Sequence, residues 1–196
     1  GIRDVAVTGV QTCALPIYKN GGLLKFKSAD ADYATVSDLG SLTRFTVEAW
    51  VKFNSLPEPY SLPTLVTNTY PGGSNVNFSL GFNGTNGTGD WNGRLCGGFF
   101  NSGWRNTLGF YPSINTWYNV CVTYDGSFVR LYNNGALDSS LNYVGTPATS
   151  GAGVRIARRW DDVNYIDGYI PVVRIYNRAL SADEVKSNYD ALKRRF

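Results

Sequence analysis

A chain of 196 residues, 43% of them apolar, is long enough for one domain with a full-sized core. Its net charge of +3 is spread thinly apart from Arg158-Arg159 and Lys193-Arg194-Arg195; no basic stripe tracks a phosphate backbone, and no apolar run is long enough for membrane insertion, so neither nucleic acid nor a bilayer is an expected partner. The chain has no His, which excludes Ser-His-Asp and Cys-His catalysis and the usual zinc sites.

The first seventeen residues read badly as the start of a domain. They show neither clean alternation nor a helical stripe, and they lack the basic and apolar regions of a secretory signal. The stretch "VTGVQTCALPI" resembles the in-frame translation of a common sequencing adapter. "GIRD" matches the adapter's upstream arm, and Val5-Ala6 has the length of a sample index. Residues 1–17 are therefore expected to be a non-native, adapter-derived segment, and residues 18–196 the native domain. The chain also has no Met, as expected of an open fragment of environmental DNA.

From residue 23 onward, the chain reads as strands. "FTVEAWVKF" (45–53) alternates clearly: Phe45, Val47, Ala49, Val51 and Phe53 face one side, and Thr46, Glu48, Trp50 and Lys52 the other. "WYNVCVTYD" (117–125) behaves alike. "FVRLYNNGALDSSL" (128–141) reads as a hairpin around Asn134-Gly135, which suits a type I′ turn. "GYIPVVRIYN" (168–177) is a further strand, and its Pro171 demands a bulge or an unpaired position. Weaker strands are predicted at 23–26, 33–36, 63–69, 77–82, 94–100, 107–111 and 154–157. The 8–12 residue spacing predicts an all-β fold, a sandwich or jelly roll rather than βαβ units. The end differs: Ser181 and Glu184 form a capping box, and Val185, Tyr189, Leu192 and Phe196 share one face of a short closing helix.

Cys96 and Cys121 fall within predicted strands and are expected to be buried free thiols. Asn77, Asn83 and Asn86 head sequons, which composition alone can produce in so Asn/Gly/Thr-rich a chain.

The ordered set "GGLLKFKSADADYATVSDLG", "FTVEAWVKF", "WYNVCVTYDGS", "RLYNNG" and "RIYNRALSADEV", over residues 21–187, resembles laminin-G-like jelly rolls of the concanavalin A-like lectin/glucanase superfamily. The resemblance implies an antiparallel β-sandwich of two sheets, one concave, with ligands met at the concave face or the loop rim. Two positions depart from the pattern: Pro171 stands where the family often has Asp, and Asn119 where it often has His. The ending "NYDALKRRF" loosely resembles tails of phage and environmental viral jelly rolls.

Glucanase relatives place paired carboxylates on alternate residues of one strand, so that acid and nucleophile flank one glycosidic bond. That pattern is absent. Glu occurs only at 48, 58 and 184: Glu48 stands alone on its strand face, Glu58 sits in a Pro-flanked loop and Glu184 belongs to the capping box. The chain is therefore not expected to be an enzyme. The family's habit of holding calcium at the rim nominates Asp30, Asp32, Asp161 and Asp162; the alternative is that they close turns. No cofactor is required.

Sugar binding needs an aromatic platform beside planar hydrogen-bonding groups. Three tryptophans lie in or beside loops with such neighbours: Trp91 with Asp90 and Asn92, Trp104, and Trp160 with Arg159 and Asp161. Alternatively, Trp50, Trp104 and Trp117 pack the core and Trp160 staples a loop. The 83–93 loop is too polar to bury an indole, which makes Trp91 the expected anchor. The leading expectation is a non-catalytic module for a glycan or cell-surface ligand, at an extracellular or virion surface. The alternative is a structural part of a capsid, tail, fibre or adhesin, touching protein neighbours.

Overall fold

The computed structural model describes residues 13–16, 18–19, 22–58, 61–69, 75–82, 93–159 and 164–196. Their strands, numbered in chain order, form two antiparallel sheets packed as a sandwich, with a short helix at the C-terminus. Sheet I runs β1 (Cys13–Pro16), β15 (Gly168–Tyr176), β6 (Phe45–Phe53), β11 (Trp117–Tyr124), β12 (Phe128–Asn133) and β13 (Ala136–Asn142), with β4 (Lys25–Phe26) also on β15. Sheet II runs β10 (Trp104–Leu108), β9 (Leu95–Phe100), β8 (Val76–Phe82), β7 (Thr64–Thr69), β14 (Val154–Ile156) and β5 (Ala34–Val36). A small hairpin pairs β2 (Tyr18–Lys19) with β3 (Gly22–Leu23).

The strongest sequence signals become the central strands. The predicted strand 45–53 is β6, bound on one side to β11 and on the other to β15. Asn134 and Gly135 both have positive φ, at 51° and 78°, and join β12 to β13. The β6–β15 register shifts between Tyr169 and Val172, so Pro171 sits at the bulge that its missing N–H requires. The strand expected at 107–111 lies three residues earlier, as β10, because it pairs Trp104 with Phe100 and Leu108 with Cys96. Cys13–Pro16 pairs with Val172–Ile175 at the edge of sheet I.

Phe45, Phe78, Phe99 and Tyr124 meet between the sheets, with ring centroids 4.5–6.2 Å apart. The helix α1 (Ala182–Leu192) carries the anticipated capping box, Ser181 accepting from the Glu184 N–H and Glu184 from the Ser181 N–H. It packs on the face of sheet I turned away from the core. Val185 is buried there with Cys121, Tyr132, Tyr176 and Leu180. Tyr189, half-buried, stacks on Trp50 at 5.7 Å, and Phe196 lies 4.7 Å from both Trp50 and Trp117. A Cβ at Gly135 would fall 3.0 Å from Tyr189, so the turn glycine also seats the helix. Thus β6 alternates in sequence yet is buried on both faces.

Candidate functional site

A jelly roll offers three kinds of surface: two outer sheet faces and the rims where the loops emerge. While Leu137 of β13 stays exposed, sheet I loses the centre of its outer face to α1. Trp50 is only 2% exposed there. Beside it, the buried Glu48 carboxylate accepts from Asn119 Nδ2 at 2.8 Å and Asn188 Nδ2 at 2.9 Å, and pairs with Arg174 at 3.3 Å. This network bonds β6, β11 and β15 to α1, and it commits Glu48 to structure. Asn119 serves here as the donor that fixes Glu48 from β11. Glu184 is equally committed: its bonds to Arg178 and to the Ser181 N–H hold its carboxyl at about 2.

The face of sheet II is built differently. A Cβ on Gly97 would strike Val122 of sheet I, so Gly97 faces the core and its neighbour Gly98 faces outward. Register then aligns one outward row across all six strands: Thr35, Arg155, Thr67, Ser79, Gly98 and Asn106. Thr35 is exposed, Arg155, Ser79 and Asn106 are half-buried, and Thr67 and Gly98 are buried as the floor. Gly98 is needed for close approach, because a Cβ there would strike the Arg105 carbonyl oxygen and crowd Asn106 Oδ1. That Asn106 oxygen is buried and has no hydrogen-bond partner among the described residues. Trp104 ends the next row, 44% exposed and edge-on to Phe100 at 5.9 Å.

The sequence-predicted residues divide between the two ends of this sheet. Trp104 lies at the β9–β10 turn. Arg159 lies at the opposite end, where β14 finishes, and its N–H donates to the Asn164 carbonyl at 2.9 Å. Asp90, Trp91, Asn92, Trp160 and Asp161 lie outside the described residues. The strand ends flanking them, Phe82, Leu95 and Ile156, belong to the same end as Arg159 by ladder register. Trp104 and Arg159 are thus not brought together, being separated by the strand length of sheet II. At the Arg159 end, Arg158 lies 3.8 Å over the Tyr33 ring and Arg94 4.9 Å over Tyr111.

Of the tryptophans assigned alternatively to the core, Trp50 is buried, although under α1 rather than between the sheets, Trp117 is half-buried and Trp104 is exposed. Of the calcium candidates, Asp30 pairs with Lys27 at 3.1 Å and Asp32 accepts the Lys27 N–H at 3.1 Å. Asp161 and Asp162 lie outside the described residues. Among the described residues no group of three or more His, Cys, Asp or Glu is placed to hold a metal ion.

Sequence reasoning missed the row across sheet II. The available signal was the small and polar residues alternating with core positions in "NFSLGF" and "LCGGFF". Their alignment into one row depends on inter-strand register, which no single segment reveals.

The family model described as the concanavalin A-like lectin/glucanases superfamily matches residues 28–186. No curated protein matches the chain. Among solved structures, the chain is similar to domain 4 of AbnA, an extracellular arabinanase from Geobacillus stearothermophilus, in complex with arabinotriose. The identity is 19% and the TM-score 0.64, over 91% of this chain and 81% of that one. It is also similar to the Ruminococcus gnavus IT-sialidase CBM40 bound to α2,3-sialyllactose, at 15% identity and TM-score 0.60, over 81% of this chain and 98% of the other. A third similarity is to the binding domain of botulinum neurotoxin serotype G, at 15% identity and TM-score 0.60; there 92% of this chain covers 42% of that chain. At such identities these likenesses show a shared fold.

Proposed function

The chain belongs to the concanavalin A-like lectin/glucanases superfamily, and we propose that it is a non-catalytic carbohydrate-binding module whose ligand lies across the outer face of sheet II. The observation carrying this reading is the asymmetry between the two sheets. The centre of sheet I's outer face is covered by α1, while sheet II bears a row of polar side chains over a floor of Thr67 and Gly98, ending near an exposed Trp104. A sugar presents hydroxyls at its edge and C–H groups on its faces. The row offers the Thr35 and Ser79 hydroxyls and the Asn106 amide to the first, and Trp104 an apolar ring to the second. The five residues of β10 span about 14 Å between its ends, which suits an oligosaccharide more than a single ring.

Structures of this fold with arabinotriose and sialyllactose bound support the ligand class. We extend the site to Arg159 and to Asp90, Trp91, Asn92, Trp160 and Asp161. A surface role outside the cell follows from glycan recognition. The test is a glycan array followed by titration calorimetry, with a reducing-sugar assay alongside. Saccharide binding without hydrolysis is expected, weakened at least tenfold by Trp104→Ala and by Asn106→Ala at unchanged melting temperature. Release of reducing ends, or binding untouched by both variants, would overturn the proposal.

A further inference from the structure

A cleft of about 310 Å³ opens at the Arg159 end of the sandwich, apart from the sheet II face. Both sheets and two loops build it. Its floor is the end of the core: Phe53 of β6, Phe82 of β8 and Ile166, with the two phenyl rings 5.2 Å apart. One wall is the loop after β6, with Ser55, Leu56 and Glu58; the other is the segment before β15, with Asn164, Tyr165 and Asp167.

The walls are tied to each other. The Asn54 N–H donates to the Asp167 carbonyl at 3.0 Å, and Asn54 Nδ2 to Asp167 Oδ1 at 2.8 Å. Ser61 Oγ donates to Asn164 Oδ1 at 2.5 Å. Pro57 and Pro63, each with φ set by its ring, stiffen the first wall. A cleft held this way loses little conformational freedom when a ligand enters.

Its chemistry differs from that of the sheet II face. The charged lining residues are the carboxylates Glu58 and Asp167; Lys27, next to the lining Ser28, feels the Asp167 charge but pairs with Asp30, so carboxylates outnumber cations at the cleft. Carboxylates accept hydrogen bonds from paired hydroxyls and repel other anions. The volume lies at the lower end of the range for small-molecule sites, enough for one ring. The apolar contacts come from Leu56, which is 41% exposed, and the half-buried Tyr165.

We infer that this rim cleft is a second, pre-formed subsite that takes one neutral sugar unit and rejects uronic or other acidic units. The inference rests on the carbohydrate-binding reading above. Sequence kept the two carboxylates 109 positions apart; the fold places both in the lining of one cleft.

The test uses the full chain, labelled with ¹⁵N and titrated with neutral oligosaccharides (arabinotriose, lactose, cellotriose) and with trigalacturonate. The expected result is that at least one neutral sugar shifts the amides of 55–58 and 164–167, whereas trigalacturonate leaves them in place. Ser55→Trp, an exposed loop position, should abolish those shifts and weaken the affinity at least tenfold, with the melting temperature kept. Trp104→Ala should leave the cleft shifts intact. If sugars shift only sheet II residues such as Ser79 and Asn106, the cleft inference falls and the binding reading stands. Equal response to trigalacturonate in the cleft, or a response there to calcium chloride alone, also overturns it. If no saccharide binds anywhere, both fall.

Discussion

Replacing Glu48 by Leu removes an anion buried between sheet I and α1. The side chain is 1% exposed, and its carboxylate receives Asn119, Asn188 and Arg174. The change strands the Arg174 guanidinium, itself only 12% exposed, opposite an isobutyl group. Breaking a buried pair from one side costs about 3–5 kcal/mol, because the remaining charge stays desolvated without compensation. For a chain of this size, each kcal/mol lowers the melting temperature by about 2–4 °C. Arg174→Leu strands the carboxylate instead and should cost somewhat less, roughly 3 kcal/mol, since two amides still bond to it. The double variant removes both charges and leaves only two amides short of an acceptor, at about 1 kcal/mol each. Asn188 is partly compensated, since it also donates to Tyr176 Oη at 2.9 Å. Urea denaturation followed by tryptophan fluorescence should therefore give a double-mutant loss well below the sum of the singles, with a coupling of at least about 2 kcal/mol. Additive losses would show that the pair does not act as a unit, and that reasoning would fail.

Three further outcomes are expected. The Glu184 carboxyl falls from its ordinary value of 4.5 to about 2, chiefly through its hydrogen bond from Arg178 and then that from the Ser181 N–H. A depressed carboxyl means the unfolded chain binds the proton more readily. Its stabilisation is complete above pH 4.5 and lost as pH falls toward 2; Glu184→Gln should flatten the melting curve in that window, and parallel curves would contradict the linkage. Burial pushes the Cys96 thiol up to about 12, and burial followed by the nearby Glu48 charge pushes Cys121 well above its usual value. Iodoacetamide at pH 8 should label neither in the native protein and both in urea, as read by peptide mass spectrometry; rapid native labelling would refute their burial. Deleting residues 1–17 should move the melting temperature by no more than about 2 °C if that segment is adapter-derived; a larger drop would assign structural weight to the β1–β15 pairing.

The sequence by itself determined the elements that depend on near neighbours. The alternation in 45–53 made β6, Asn134-Gly135 made the β12–β13 turn, Ser181 and Glu184 started α1, and Pro171 called for the bulge where it is found. Each is a local rule: a two-residue period, a positive φ, an orphan N–H, a missing donor. The order of such elements along the chain also carried the family resemblance. The tertiary structure decided what covers each surface. Period two tells that β6 has two faces; it cannot tell that α1 will bury the second, turning Glu48 from a lone strand carboxylate into the centre of a buried network. Register across six strands likewise joined Thr35 to Asn106 in one row and set Trp104 and Arg159 at opposite ends of sheet II. Strand pairing brings together residues far apart in the chain, and the alignment is fixed by the packing of the whole sandwich rather than by any segment's own preference.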